Sequence, residues 1–394
     1  MAERASVGIL ISKLPKKNSL FGSDFLQTGE KSIPEIEAVL AAAQILRKLK
    51  SEGKNTRLFT SGLAVSWFRD KSTRTRYSFA AAADLLGLSV LDLDEEKTQV
   101  AHGETVRETA TMLSFLTEVF GIRDDLYLGE GHAFMETVAR AVEVGHNEGV
   151  LPKRPSVLNL QSDRDHPTQS LSDLAHLTSH FGSLKNLRGK RLVMSWAYSP
   201  SYGKPLSVAQ GVCGLMTRLG MDVVLAYPDG YGLIPELERQ FFKQAKESGG
   251  RFSVVHDMKE AFRNADSVYP KSWAPFSVME EGTRMLRKGD REALVKLEKK
   301  GLAMNDKHKD WECTDAMMRS TKGGKALYMH CLPADVSGVS CKEGEVEKSV
   351  FERYRKELFL QAGHKPFIIA AMMMLTRFEN PAFVLKRTLK GRTF

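Results

Sequence analysis

The stretch RLFTSGLAVSWFRDKSTRTRYSFAAAADLLG, residues 57–87, decides the fold. Its first part, 57–68, is apolar and rich in β-formers and reads as a strand. A short polar loop follows, and residues 73–87 carry an alanine-rich helical pattern ended by Gly87. Strand, loop and helix in that order form one β–α unit, and the same alternation repeats in both directions along the chain. Residues 89–93, 119–122 and 156–160 read as strands, separated by helices over 104–116 and 134–144. One α/β unit therefore ends near residue 162. A helix over 167–181 follows, opened by Pro167 and closed by Gly182.

The alternation then restarts. Strands are expected at 191–196, 222–227, 252–255, 267–269 and 326–331, with helices at 208–219 and 235–248 and a short one at 259–263. Residues 271–324 lack strand signals and are rich in Lys, Arg and Glu, so helices in a long excursion at a domain edge are expected. The last helix, 365–378, is apolar enough to need burial against one of the domains. The fold class is α/β, with two doubly wound parallel-sheet domains joined by long helices.

Composition agrees with this outline and narrows the function. The 394 residues are 42% hydrophobic and 27% charged, a globular profile long enough for two or three domains. The longest apolar run, 367–375, is about half of the ~20 residues a membrane helix needs. Residues 7–11 are too short for a signal-peptide core, so a cytoplasmic protein with no membrane partner is expected. Cys213, Cys313, Cys331 and Cys341 form no CxxC pair, which points to reduced thiols and no metal site. The 57 basic and 48 acidic residues leave a net charge of +9, with a local excess in the tail at Arg377, Lys386, Arg387, Lys390 and Arg392. A basic balance suits nucleic acid, a membrane surface or small anions. No nucleic-acid motif and no aromatic interleaving of the basic residues is present, which disfavours the first.

Three motifs carry chemistry. Ser72-Thr73-Arg74-Thr75-Arg76 lies where the loop enters a helix, and a helix N-terminus offers unpaired N–H groups and a positive dipole end to an anion. At ~100° per residue Arg74 and Arg76 point to nearly opposite sides, so only Arg74 is expected to reach an anion there. A capping run with solvated arginines, or a phosphorylation site, is the plainer alternative. No GxxxxGK[ST] loop exists, which disfavours a nucleotide triphosphatase. His166-Pro167-Thr168-Gln169 opens the next helix. Three residues apart, His166 and Gln169 share a face and can hold the oxygen and the amide of one small polar group. Asp163 and Asp165 would bias the imidazole towards its charged form; a backbone-satisfied capping histidine is the alternative. His330-Cys331-Leu332-Pro333 ends the last strand, where open α/β sheets bind ligands. Cys331 reads either as a thiol nucleophile or as a small buried hydrophobe whose carbonyl turns to the cleft.

In this order and at these separations the three motifs resemble the aspartate/ornithine carbamoyltransferase family over nearly the whole chain. Thr98-Gln99 before His102-Gly103-Glu104-Thr105, Arg123 and Asp173 add to the resemblance. The loop Trp196 to Pro205 and the Lys271-Ser272-Trp273 stretch are similar to the knotted branch, which includes N-acetylornithine and N-succinylornithine enzymes. The resemblance implies a knot in the second domain, which no pattern in the sequence itself reveals. It also implies a carbamoyl-phosphate domain, 1–164 completed by 363–394, and an amine-binding domain, 165–362. The implied activity moves a carbamoyl group between carbamoyl phosphate and a small amine, without a cofactor, in a homotrimer with active sites at subunit interfaces. Operation towards carbamoyl phosphate in catabolism is compatible with it.

The residue roles follow from the same resemblance. Ser72, Thr73, Arg74 and Thr75 would take the phosphate, with Gln99 reaching in from a neighbouring subunit. Thr75, Arg123 and His166 would stabilise the carbonyl oxygen, and Gln169 with the carbonyls of Cys331 and Leu332 would hold the carbamoyl NH2. Two features depart from the family pattern. Lys365 stands where most relatives carry arginine, a point charge in place of a planar fork. His102 stands where aspartate-type enzymes have lysine, although ornithine-type enzymes also have histidine there. The Ser-Met-Gly motif that reads ornithine is absent, with Lys271-Ser272-Trp273-Ala274-Pro275 in its place. Lys271 and Trp273 therefore suggest an acidic or amide-bearing second substrate. A catalytically silent carbamoyl-phosphate-binding module remains the alternative.

Overall fold

The computed structural model describes residues 7–97, 99, 103–201 and 203–391. Thr98, His102, Tyr202 and Arg392, which entered the sequence reading, lie outside the described residues.

Two parallel sheets organise the chain. The first contains β1 (Leu63–Phe68), β2 (Ser89–Leu93), β3 (Thr117–Asp124) and β4 (Ser156–Ser162) in the order β2-β1-β3-β4. Its helices are α1 (Val7–Ile11), α2 (Ile33–Ser51), α3 (Thr73–Leu86), α4 (Val106–Ser114) and α5 (Gly131–Asn147). The long helix α6 (Pro167–Phe181) leads to the second unit, β5 (Arg191–Ser195), α7 (Ser207–Arg218), β6 (Asp222–Ala226), α8 (Pro235–Ser248), β7 (Arg251–Val255), α9 (Met258–Phe262) and β8 (Ser267–Pro270). The excursion is helical, as expected: α10 (Phe276–Arg287), α11 (Arg291–Asn305) and α12 (Asp315–Ser320). β9 (Leu327–Tyr328) then completes a sheet ordered β7-β6-β5-β8-β9, all parallel. A small parallel pair, β10 (Val336–Ser337) and β11 (Val346–Glu347), precedes α13 (Lys348–Ala362), α14 (Lys365–Arg377) and α15 (Pro381–Leu389).

Two expected strands are shorter than their apolar runs. β1 begins at Leu63 because the preceding segment bonds to the end of α3: Thr56 Oγ1 donates to Leu85 O (2.7 Å) and Phe59 N to Leu86 O (2.9 Å). Gly62, at φ 131°, then turns the chain into the sheet. β9 stops at Tyr328 because His330 N leaves the ladder and donates to Gln361 Oε1 (3.2 Å).

By length and composition residues 348–377 could cross a bilayer. In the structure α13 and α14 are separate helices, and every residue of α14 from Ile368 to Thr376 is buried. α14 packs on α2, α3 and α6, which makes it the central core helix of the first unit. Across the cleft, α10 of the second unit meets the first: Thr283 Oγ1 donates to Leu128 O (3.2 Å) and Arg287 pairs with Glu130 (2.7 Å).

Candidate active site

Each sheet reverses its winding once. In the first the reversal lies between β1 and β3, in the second between β5 and β8. Loops leaving such neighbouring strands in opposite directions open a crevice at their carboxyl ends. The two crevices face each other and merge into one cleft of about 250 Å³. From the first unit it takes Lys71 to Thr75, Arg123, Gln161, His166 and Gln169; from the second, Lys204, Pro205, Val208, Lys271, His330 to Pro333 and Glu345; from α14, Lys365.

α3 starts at the cleft wall. Its N-cap, Ser72, has extended backbone, yet its hydroxyl makes no capping bond, so neither hydroxyl nor first-turn N–H groups are spent on a cap. Thr75 is buried at 2% exposure, and Arg74 Nη2 crosses the cleft to donate to Leu332 O. Arg76 points away, as the helical spacing predicts. It pairs with Asp92 and lies 4.3 Å from the Phe68 ring centroid.

α6 also starts at the cleft. His166 is 3% exposed, with Nδ1 3.1 Å from Thr168 Oγ1. Burial, then the charges of Lys365, Arg123, Lys271 and Arg74, hold it well below its usual pKa, so the imidazole is neutral. This corrects the expectation that Asp163 and Asp165 favour the imidazolium. Asp163 is occupied by Gly129 N (2.8 Å) and His132 N (2.7 Å), and Asp165 by Thr28 N (2.7 Å) and Oγ1 (2.8 Å). Burial pushes Asp165 itself up to about 6. One turn on, Gln169 Nε2 donates to Asp173 Oδ1 (2.7 Å).

Arg123, at the end of β3, donates to Asp70, Gln161 Oε1 and Asp125 Oδ2 (3.1 Å). Asp125 is fully buried, and burial followed by the nearby Asp70 raises its pKa well above the usual, although Arg123 opposes this. The guanidinium is thus fixed by a side-chain clamp that motif reading did not find. Asp70 and Gln161 sit at the carboxyl ends of β1 and β4, the position from which a sheet argument points to ligand contacts.

The remaining cations differ in their compensation. Lys204 lies 2.9 Å from Asp335 and 3.0 Å from Glu345. Burial works against its charge, but the two carboxylates outweigh it and hold the pKa above the usual. Glu345 is saturated, accepting also from Ser272 N (2.7 Å) and Asp335 N (2.8 Å). Lys204 lies in the 196–205 loop but was given no role there, Glu345 belongs to no motif, and the fold brings both to the cleft. Lys271 donates to the carbonyls of Ser272 (2.7 Å) and Pro205 (3.3 Å), and burial lowers its pKa. Lys365 is 6% exposed, and burial pushes it down to about 8. Among the described residues neither Lys271 nor Lys365 forms an ion pair.

Ser72, Thr73, Arg74, Thr75, Arg123, His166, Gln169, Lys271, Cys331, Leu332 and Lys365 therefore converge on one cleft. Two expected residues do not. Trp273 is completely buried, its Nε1 donating to Tyr231 O (2.8 Å), and it lines no part of the cleft. Gln99 is exposed and lies outside the cleft of its own chain.

Residues 23–179 match the model of the aspartate/ornithine carbamoyltransferase carbamoyl-P binding domain, and residues 204–376 that of the Asp/Orn binding domain. The chain is 57% identical to the protein described as "Putative carbamoyltransferase YgeW" of Escherichia coli K12, over 94% of both chains. It is 32% identical to the ornithine carbamoyltransferase of Pyrococcus abyssi over 65% of this chain and 73% of that one. The crystal structure of ornithine carbamoyltransferase from Pyrococcus furiosus superposes with a TM-score of 0.70 at 26% identity, covering 91% of this chain and 98% of that one. An acetylornithine transcarbamylase solved with acetylcitrulline has the same fold, with a TM-score of 0.70 at 24% identity over 89% of this chain and 98% of that one. With both halves matched and one relative identical at more than half of the aligned positions, the chain belongs to the aspartate/ornithine carbamoyltransferase family.

Proposed function

We propose that this protein transfers a carbamoyl group between carbamoyl phosphate and the amino group of a small molecule bearing an acid or amide group, giving a ureido product and phosphate. The observation that carries the reading is the uncapped start of α3, facing Lys365 and bridged by Arg74 to the His330 to Pro333 loop. That arrangement suits a dianion held on N–H groups, hydroxyls and two cations. Ser72, Thr73, Arg74 and Thr75 take the phosphate with Lys365. Thr75, Arg123 and His166 surround the carbonyl oxygen, on which negative charge grows during attack. Gln169 and the carbonyls of Cys331 and Leu332 accept from the carbamoyl NH2. The amine forms its bond to the carbonyl carbon and releases a proton, while the carbon–oxygen bond to phosphate breaks. Alignment of the two bound substrates supplies much of the rate, and no covalent enzyme intermediate is required.

Lys271, a buried ammonium with carbonyl partners, is the candidate partner for an acid or amide oxygen of the amine substrate. The division of labour we propose is residues 1–164 with 363–394 for carbamoyl phosphate and 165–362 for the amine. Three chains assemble, and Gln99 of each completes the neighbour's phosphate site. Its exposure outside its own cleft supports this, as do the exposed apolar side chains Tyr77, Leu91, Met112, Phe115 and Leu116 on the same unit. A knot in the second unit is supported by residues 271–274 lying against both ends of the 196–205 loop. Ala197 N donates to Lys271 O (3.2 Å) and Ala274 N to Lys204 O (2.9 Å). The four free cysteines suit a reducing cytoplasm.

Carbamoyl phosphate and inorganic phosphate are expected to raise the melting temperature of the wild type and to leave Arg74→Ala unmoved. Ureido formation across a panel of acid-, amide- and diamino-bearing amines then identifies the second substrate. A wild type indifferent to both phosphates, or one that binds them and carbamoylates nothing, would contradict the reading.

A further inference from the structure

Asp173, on α6, is completely buried and touches no part of the cleft. Its Oδ1 accepts from two amides at once, Gln169 Nε2 (2.7 Å) and Gln361 Nε2 (2.6 Å). A carboxylate only accepts, so each glutamine must give Asp173 its NH2 and turn its carbonyl oxygen elsewhere. For Gln361 that oxygen accepts from His330 N (3.2 Å), at the point where the chain leaves β9. His330 Nδ1 in turn accepts from Leu332 N (2.9 Å), which fixes the loop carrying the carbonyls of Cys331 and Leu332. For Gln169 the freed oxygen belongs to a side chain that lines the cleft.

We propose that Asp173 and Gln361 are positioning residues that make this site select a carbamoyl group, by turning Gln169 Oε1 and the Cys331 and Leu332 carbonyls together towards its NH2. This rests on the carbamoyl-phosphate reading above. A primary amide NH2 carries two donor hydrogens and needs acceptors; an acyl phosphate with a methyl group in its place leaves the same acceptors unpaired. Sites built on buried hydrogen-bond partners reject such analogues far more strongly than apolar pockets reject a change of size. Without Asp173 the Gln169 amide is free to rotate by half a turn and present NH2 to NH2. The neighbouring charges do not do this work, since Lys365 and Arg74 bear on the phosphate whichever acyl group is attached.

The test compares inorganic phosphate, carbamoyl phosphate and acetyl phosphate binding to the full-length protein by calorimetry, for the wild type, Asp173→Asn and Gln361→Met. The wild type is expected to prefer carbamoyl over acetyl phosphate. Asp173→Asn, in which the side chain offers an NH2 that allows Gln169 to flip, should shrink that preference roughly tenfold while phosphate affinity stays within about twofold. kcat for carbamoyl transfer should fall with it. Gln361→Met keeps the volume, and it should lower the same preference through the loop alone; it carries the test if Asp173→Asn does not fold. A folded variant retaining the wild-type preference, or a loss shared equally by phosphate, overturns the positioning role. A wild type that binds carbamoyl and acetyl phosphate alike also overturns it. Failure of the wild type to bind any of the three instead overturns the site reading beneath it.

Discussion

At the scale of single residues, two positions separate a ligand-binding role from a structural one. A serine at a helix N-cap normally stabilises the helix, and its replacement by alanine costs about 0.5–2 kcal/mol. Ser72 makes no capping bond, so Ser72→Ala should leave the urea midpoint unchanged and weaken phosphate binding measured by calorimetry. Lys365 gives the site a pH dependence that arginine would not. Burial, with Arg74 and Arg123 adding to it and Cys331 and Asp173 opposing, brings its pKa to about 8. It is charged below that value and neutral above, so phosphate affinity should be full at pH 7 and fall by up to about tenfold per pH unit above the shifted value. A bound dianion moves the onset upward, and Lys365→Arg should abolish the fall. The unliganded protein responds in the opposite sense. The unfolded chain holds this proton up to 10.5, so deprotonation in the folded state adds stability between about 8 and 10.5. These residues were legible because short motifs at helix starts imply their geometry. Glu345, Gln361 and Asp70 were not, because a buried carboxylate or amide announces itself only through partners distant in sequence. Trp273 was misread for the related reason that Lys271, two residues earlier in the motif, faces the cleft while Trp273 faces the core.

At the scale of elements, the alternation of strand and helix was readable from residue 57 to the end of the second sheet, with errors at boundaries, whereas α13 was not read and α15 follows the helix at 365–377 that was expected to be the last. Apolar runs overstate strands wherever hydrophobic residues serve something other than a ladder. The segment from Thr56 to Phe59 bonds to the end of α3, and His330 and Cys331 turn into the cleft. α2 went unread although Ser32 and Glu35 form a complete capping box; its partner is α14, more than 300 residues further along the chain. The segment before β1 does have a testable function in holding α3. Gly87 ends that helix at φ 98°, and a Cβ there would collide with the Phe59 carbonyl oxygen. Gly87→Ala should cost about 1–3 kcal/mol in backbone strain, more with the collision, read as a lowered urea midpoint. Because the proposed phosphate cradle lies at the other end of α3, phosphate should recover part of the lost melting temperature by mass action.

For the whole molecule, the cleft of one chain holds every residue of the proposed carbamoyl-phosphate site except Gln99, which is exposed on the same unit and outside that cleft. The apolar side chains exposed between Tyr77 and Leu116 are each at least half accessible, on elements surrounding that residue. Solvent-facing Leu, Met and Phe concentrated on one unit are costly unless covered, and a closed ring of identical subunits covers them without an open edge. Sedimentation should therefore give a mass near three chains, and Leu116→Asp should lower it and remove activity together. Complementation distinguishes a shared site from mere association. Arg74→Ala and Gln99→Ala should each be inactive alone, since one spoils the cradle and the other the neighbour's contribution to it. In hybrid rings formed from equal amounts, about one interface in four joins an intact cradle to an intact Gln99. Roughly a quarter of wild-type carbamoyl transfer should then reappear. Mixtures that stay inactive, despite exchange of subunits shown by mass, would mean that each cleft works alone and that the exposed apolar surface serves another purpose.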